Sequence, residues 1–407
     1  MRFDRRQTLR LMAAGTLAAG LPRGASAQAE EFRVGALCPV TGAGATFGAG
    51  MQKTIIATAA RINAAGGAAG RTFRVFADDD QTQPQAGVLA AKKLLEVNRV
   101  QAILGTWSSG VSLAVIPLTN EAGAILMNTS GAPALSVPPA NAKHLSYRFQ
   151  ATNDRFGRAF AQIAAREGFK RPATMAFNNA SGIGNTEGFA KAWKAQGGSL
   201  TKAVVYEPNQ PSYRSELQSV LDTKPDVIVM GSYVADTAII LREWYQTGAT
   251  TKFILPDWAV NASTIASLGE DVLSNCITVE SVANEGSPAF ADFDALYRKE
   301  MGAPGRGNNY AAMAYDMMVL LALAVEAAGP GADVAAINAR IIPLSGPDGE
   351  VVSSFAQGRD ALKAGRTINY DGASSVLDLD QYGDVTPDFG AYKFNGKSFE
   401  RKYIVKI

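Results

Sequence analysis

The chain predicts an α/β fold of two similar lobes, each a parallel sheet flanked by helices, the two joined by hinge strands. Three observations carry that expectation. Short apolar runs alternate with helical patterns along most of the length. The runs stop at clusters of Gly, Ser, Thr and Asn, the residue types that end strands and cap helices. The alternation pauses near His144–Gln150 and starts again, and 407 residues exceed what one core normally holds.

In order, Phe32–Pro39 reads as the first strand. The glycine-rich turn Thr41–Gly48 leads from it into a helix ending near Gly66-Gly67. Arg71–Ala77 is the next strand, closing on Asp78-Asp79-Asp80, and Pro84 opens a helix to Asn98. The most informative stretch follows. The apolar run Val100–Leu104 ends at Gly105 and the polar turn Thr106-Trp107-Ser108-Ser109-Gly110. A helical pattern spans Val111–Ala122, and a second apolar run, Ala124–Met127, ends at Asn128-Thr129-Ser130-Gly131. Both turns fall at the carboxyl ends of strands, the edge where open parallel sheets bind ligands. Ser108 or Ser109 is expected to cap the helix, placing hydroxyls and free N–H groups at its positive end, where a small carboxylate fits.

The second series comprises helix Asp154–Gly168, strand Pro172–Phe177, helix Thr186–Gly197 and strand Leu200–Tyr206. Helix Tyr213–Thr223, strand Val227–Met230, helix Asp236–Thr247 and strand Lys252–Leu255 continue it. Asn308–Gly329 is a strongly apolar helix, and short strands after Ile368 end the chain. Here too the strand ends carry chemistry: Met230-Gly231-Ser232-Tyr233 and Leu255-Pro256-Asp257-Trp258. An aspartate beside aromatic rings can pair with an ammonium group.

Apolar residues make up 47 % and charged residues 19 %, the balance of a folded globular protein. The net charge of +2 is misleading. Of 39 Lys and Arg, five lie in the first 28 residues with one of the 37 Asp and Glu, leaving 34 basic against 36 acidic. Nucleic acid and anionic membranes are therefore not expected partners. The first 27 residues are expected to be an export signal. Arg5-Arg6-Gln7-Thr8-Leu9-Arg10 resembles a twin-arginine motif, Leu11–Leu21 is apolar but too short to span a bilayer, and Ala25-Ser26-Ala27 suits cleavage. Cys38 and Cys276, the only cysteines, are expected to be buried free thiols. With a single histidine and no Cys cluster, no metal is expected.

Enzymatic readings fail on pattern. Gly42, Gly44 and Gly48 follow a strand, but their spacing is GxGxxxG, one residue too long for a dinucleotide loop. No GxSxG elbow exists, and His144 sits in a connection with no serine partner indicated. No cofactor and no catalytic activity are expected.

Taken together, the residues resemble the type I periplasmic solute-binding proteins of the leucine/isoleucine/valine-binding class, which serve ABC importers. The likeness rests on the first strand with Thr41-Gly42, on Asn63–Gly67, on Asp78-Asp79-Asp80 with Pro84 and Ala86, and on Gly105–Gly110. Glu121-Ala122-Gly123, Ala314-Tyr315-Asp316 and Tyr370-Asp371-Gly372 extend it. It implies lobes of residues 31–149 plus 284–366 and 150–283 plus 367–407, hinged near Phe149, Val282 and Ile368. It also implies a small carboxylate ligand, most simply an amino acid, with aromatic or keto acids and amides as alternatives on the same fold. A monomer delivering to an ABC permease from the periplasm is the expected setting. By resemblance, Ser108, Ser109, Ser130 and Gly131 hold the carboxylate. Asp257 meets the ammonium, with Tyr233 as the aromatic strand-end residue, and Phe47 lines the pocket. Ile183 stands where the class often has Tyr. Trp107 and Trp258 add bulk, which implies a pocket reshaped for a larger side chain.

Overall fold

The structure, a computed structural model, describes residues 30–407; the expected export segment lies outside them. Strands β1 (Glu30–Cys38), β2 (Arg71–Asp79), β3 (Ala102–Thr106), β4 (Ile125–Asn128) and β5 (Ser146–Arg148) form a sheet in the order β2-β1-β3-β4-β5. The β1–β3, β3–β4 and β4–β5 pairs are parallel. Parallel neighbours need long returns. Helices α1 (Ala45–Ala64), α2 (Pro84–Lys92) and α3 (Ser109–Ala122) supply three of them. The pause at His144–Gln150 thus contains a strand of this first sheet.

Helix α4 (Asn153–Arg166) opens the second series. It is followed by β6 (Pro172–Phe177), α5 (Ala180–Ala195), β7 (Ala203–Tyr206), α6 (Arg214–Leu221), β8 (Val227–Gly231), α7 (Val234–Thr247) and β9 (Lys252–Pro256). Two short helices, α8 (Ala262–Leu268) and α9 (Glu270–Leu273), lead into β10 (Cys276–Ser281). The neighbours in β10-β9-β8-β6-β7 are all parallel. Helix α5 starts at Ala180, not at Thr186, because the Asn179 side chain accepts the Gly182 N–H at 2.7 Å and caps it. Its glycines, which read as loop, serve packing: a Cβ on Gly157 of α4 would lie 2.2 Å from the Gly188 backbone of α5.

The chain then returns to the first sheet through α10 (Pro288–Met301), α11 (Asn309–Ala328), α12 (Val334–Ile341), β11 (Glu350–Val352), α13 (Phe355–Lys363) and β12 (Ile368–Tyr370), with β11 and β12 paired in parallel. Helix α11 is long and apolar enough to cross a membrane, with mean hydropathy 1.7, but 83 % of that stretch is buried inside the fold. Its one interior charge, Asp316, is fully buried. It accepts from the Tyr370 hydroxyl (2.8 Å), the Ala373 and Ser374 N–H groups (2.8 and 2.7 Å) and the Ser374 hydroxyl (2.6 Å). Desolvation still pushes its carboxyl up to about 6.

The chain finally crosses to the second sheet and adds β13 (Phe389–Phe394) and β14 (Phe399–Val405) as an antiparallel hairpin on β10. The second sheet therefore carries an antiparallel edge on a parallel core. The chain passes between the sheets after Arg148, after Ser281 and between Tyr370 and Phe389. These passages run side by side: the Arg148 N–H reaches the Gly383 carbonyl at 2.8 Å and the Val282 N–H the Asp388 carbonyl at 2.8 Å. Cys38 and Cys276 are both free and buried.

Candidate functional site

The carboxyl ends of β3 and β4 present two loops to the second sheet. Ser108 stands at the N-cap of α3 with extended backbone (φ −73°, ψ 130°), but its hydroxyl makes no capping bond. The first-turn N–H groups of α3 are thus left without a side-chain acceptor. Beside them, the hydroxyls of Ser109 and Thr129 are buried and have no hydrogen-bond partner among the described residues. Ser130 has a different role. Its hydroxyl is fully buried, contacts the Ser112 hydroxyl and donates to the Trp107 carbonyl at 3.1 Å, tying one loop to the other. Thr129, which the sequence reading passed over, is buried and borders the cleft cavity.

Arg148 fixes the second loop from behind. It is 1 % exposed. Its guanidinium donates to the carbonyls of Ser130 and Ala132 (2.8 Å to Ala132), to the Ser136 hydroxyl and to Asp384 (2.8 Å). With these carbonyls turned inward, the loop shows its hydroxyl side to the cleft. Gly131 is required at the crossing point: a Cβ there would lie 1.9 Å from Asn153 Oδ1, and its carbonyl accepts the Asn153 N–H at 2.7 Å.

The second sheet supplies the facing wall. Tyr233 is anchored by Asn179, whose amide donates to its hydroxyl at 2.9 Å. Trp107 from the first sheet meets Tyr233 edge-on at 5.9 Å, Tyr310 at 5.8 Å and Phe47 at 5.9 Å between ring centroids. These rings fill the cleft. Between them remain two neighbouring cavities that share Tyr310. The first, about 20 Å³, lies against Trp107, Ser108, Ser109, Thr129, Gly131, Gln150, Tyr233 and Trp258. It is large enough for about one water. The second, about 160 Å³, is lined by Phe47, Asp257, Glu280, Tyr310 and Tyr392 among others.

Of the ten residues singled out from sequence, Trp107, Ser108, Ser109, Gly131, Tyr233 and Trp258 border the first cavity, and Phe47 and Asp257 the second. Ser130 is interior, and Ile183 borders neither. Ser109 and Asp257 therefore sit on adjoining spaces with Tyr310 between them. The two tryptophans occupy cleft volume instead of enlarging it. Asp257 accepts the Thr278 hydroxyl at 2.7 Å, and burial raises its carboxyl above the usual range. Sequence reading missed Gln150, Glu280 and Tyr310. The signal for Glu280 was available, since β10 ends at Val279-Glu280-Ser281 just as β9 ends at Asp257.

A family model described as "Periplasmic binding protein" matches residues 31–364, and the chain belongs to that family. It is 26 % identical over 337 residues to the Leu/Ile/Val-binding protein BraC3 of Rhizobium johnstonii, covering 81 % of this chain and 88 % of that protein. Among solved structures it resembles a leucine-binding LivK from Thermotoga maritima (TM-score 0.78, 20 % identity, 92 % and 98 % of the two chains). It also resembles a solute-binding protein of an R. palustris ABC transporter in complex with benzoate (TM-score 0.75, 18 % identity, 93 % and 98 %). The family makes the chain a binding protein of the periplasmic type.

Proposed function

We propose that this protein captures an amino acid between its two sheets and hands it to an ABC permease without transforming it. The observation that carries the reading is the pair of buried hydroxyls on Ser109, at the amino end of α3, and Thr129, on the loop after β4, neither with a partner among the described residues. A buried donor left unmade costs about 1–3 kcal/mol, and a hydrogen bond to a charged acceptor contributes about 1.5–3 kcal/mol. A carboxylate placed there removes the first and gains the second. Asp257, beyond Tyr310, supplies the opposite charge for an ammonium group. With Trp107 and Tyr233 in contact across the cleft, entry requires the sheets to separate, and a ligand bridging both walls favours the closed form by its differential affinity.

The lobes are taken as residues 31–149 with 284–366, and 150–283 with 367–407. The tie of Tyr370–Ser374 to Asp316 supports extending the first lobe past 366. A monomer exported by a twin-arginine route, cleaved after Ala27, completes the reading; the amino-terminal sequence of the exported protein checks the cleavage. The second reading is an aromatic acid, favoured by the ring-lined walls. Thermal-shift measurements decide between them. L-leucine or another amino acid at about 100 times Kd stabilises by about 2.7 kcal/mol, while benzoate gives no shift. Stabilisation by benzoate and by no amino acid overturns the proposal.

A further inference from the structure

The wall opposite the serines holds one carboxylate more than a neutral amino acid has ammonium groups. Strands β9 and β10 run parallel with Val279 beside Pro256. Asp257 directly follows β9, Glu280 stays in β10 paired with Gly390 of β13, and both line the same cavity of about 160 Å³. Glu280 is only 7 % exposed. One of its oxygens is held by the Gln150 amide (3.1 Å), the Ser281 N–H (2.7 Å) and the Ser281 hydroxyl (2.9 Å). These contacts fix the carboxylate without neutralising it. Among the described residues neither acid has an ion-pair partner. Of the nearby cations, Arg401 reaches Glu285 at 3.8 Å, and Arg306 stands exposed on the cavity's rim, paired with neither acid among the described residues.

Two such carboxylates on adjoining strand ends repel one another, and each lacks bulk hydration. Burial, with the Asp257 charge next in importance, pushes the Glu280 carboxyl up to about 7. A second cation relieves both effects at once. The rest of the cavity suits the stem of such a group, because Phe47, Tyr310 and Tyr392 offer ring faces to alkyl carbons and to a terminal cation. This cavity of about 160 Å³ is far roomier than the serine-lined one of about 20 Å³. The bulk of a ligand belongs on the acidic side.

We infer that the ligand is a basic amino acid, whose carboxylate meets Ser109 and Thr129 and whose two cationic groups meet Asp257 and Glu280, with Glu280 selecting the side chain. The inference rests on the amino-acid reading above. Titration calorimetry on the full exported chain with L-arginine, L-lysine, L-leucine and benzoate tests it. The expected result is that arginine or lysine binds at least about tenfold tighter than leucine. Glu280→Gln is expected to abolish that preference while leaving leucine within about threefold of its wild-type affinity, and Glu280→Asp, which keeps the charge, to retain part of the preference. Leucine binding as tightly as both basic ligands overturns the inference and leaves the amino-acid reading standing. So does a Glu280→Gln variant that keeps the preference. Binding of benzoate with no amino acid bound removes both.

Discussion

The two walls of the cleft meet charge by different means. In the proposed complex the first-sheet wall meets an anion with no formal positive charge on its surface: hydroxyls, helix N–H groups and loop amides, held in place by the Arg148 guanidinium buried behind them. The second-sheet wall offers a cation full negative charges, Asp257 and Glu280, on adjacent strand ends. The difference follows from what each wall must endure when empty. Neutral dipoles cost less to bury than charges do, whereas buried carboxylates are desolvated and drift toward protonation. The donor wall is therefore pre-set, and the acid wall is the side whose state depends on pH and ligand.

The largest effect is expected where the donor wall is supported. Arg148→Met leaves Asp384 without its cation and the Ser130 and Ala132 carbonyls without donors. Removing one partner of a buried pair costs about 3–5 kcal/mol. Urea denaturation of the ligand-free protein should show a loss of that size; a loss near zero would mean the loop is held by something other than Arg148.

Asp257→Asn sharpens the other wall. Truncating a buried charge that meets a ligand charge costs about 2–5 kcal/mol of binding. That loss should appear for amino acids and be nearly absent for carboxylic acids lacking an ammonium group. Equal losses for both classes in calorimetry would deny Asp257 its partner.

Ser109→Ala separates function from stability. The amino-acid ligand should lose about 1.5–3 kcal/mol of binding, because the bond is to a charged acceptor. The free protein should hold its stability or gain slightly, because the deleted hydroxyl is buried and has no partner. A variant that loses stability and keeps affinity would turn Ser109 into an ordinary structural serine.

The acid wall also carries a pH signature. The folded Glu280 carboxyl, raised from 4.5 to about 7 by burial first and Asp257 next, binds its proton more tightly than in the unfolded chain. Between those values the folded state holds more protons, so Glu280 lowers stability as pH rises from about 4.5 to about 7. Glu280→Gln should remove that fall and be more stable than the parent at pH 8, by about 1–3 kcal/mol. Unfolding curves at pH 5 and pH 8 with an unchanged difference between the two proteins would contradict the assignment.

The strands and helices were legible because their apolar periodicity and their turns agree. Most boundaries fall within a few residues of the sequence reading, and α5 departs from it only where packing glycines imitate a loop. The strand–turn–helix unit that carries Ser108 and Ser109 was legible for a similar local reason, although neither hydroxyl caps the helix. Pairings distant along the chain were not. Arg148 reads as one charge in a connection until Asp384, far along the chain, is placed beside it. Glu280 becomes a site residue only once the β9–β10 register sets it next to Asp257. That the Ser130 hydroxyl turns inward was illegible for the same reason, since it depends on Ser112 one helix turn into α3.

Ile183 marks the edge of both walls and offers the smallest expected effect. It lies in the first turns of α5 with its side chain outside both cavity linings and outside the hydrophobic clusters. Its neighbour Ser181, by contrast, borders the first cavity. Ile183→Ala should therefore leave amino-acid affinity within about 0.5 kcal/mol, as for a surface change remote from the chemistry. Ser181→Ala, two residues earlier and on the cavity side, should weaken it more. The reverse order in calorimetry would show that α5 approaches the ligand by its other edge, and that the acid wall extends onto this helix.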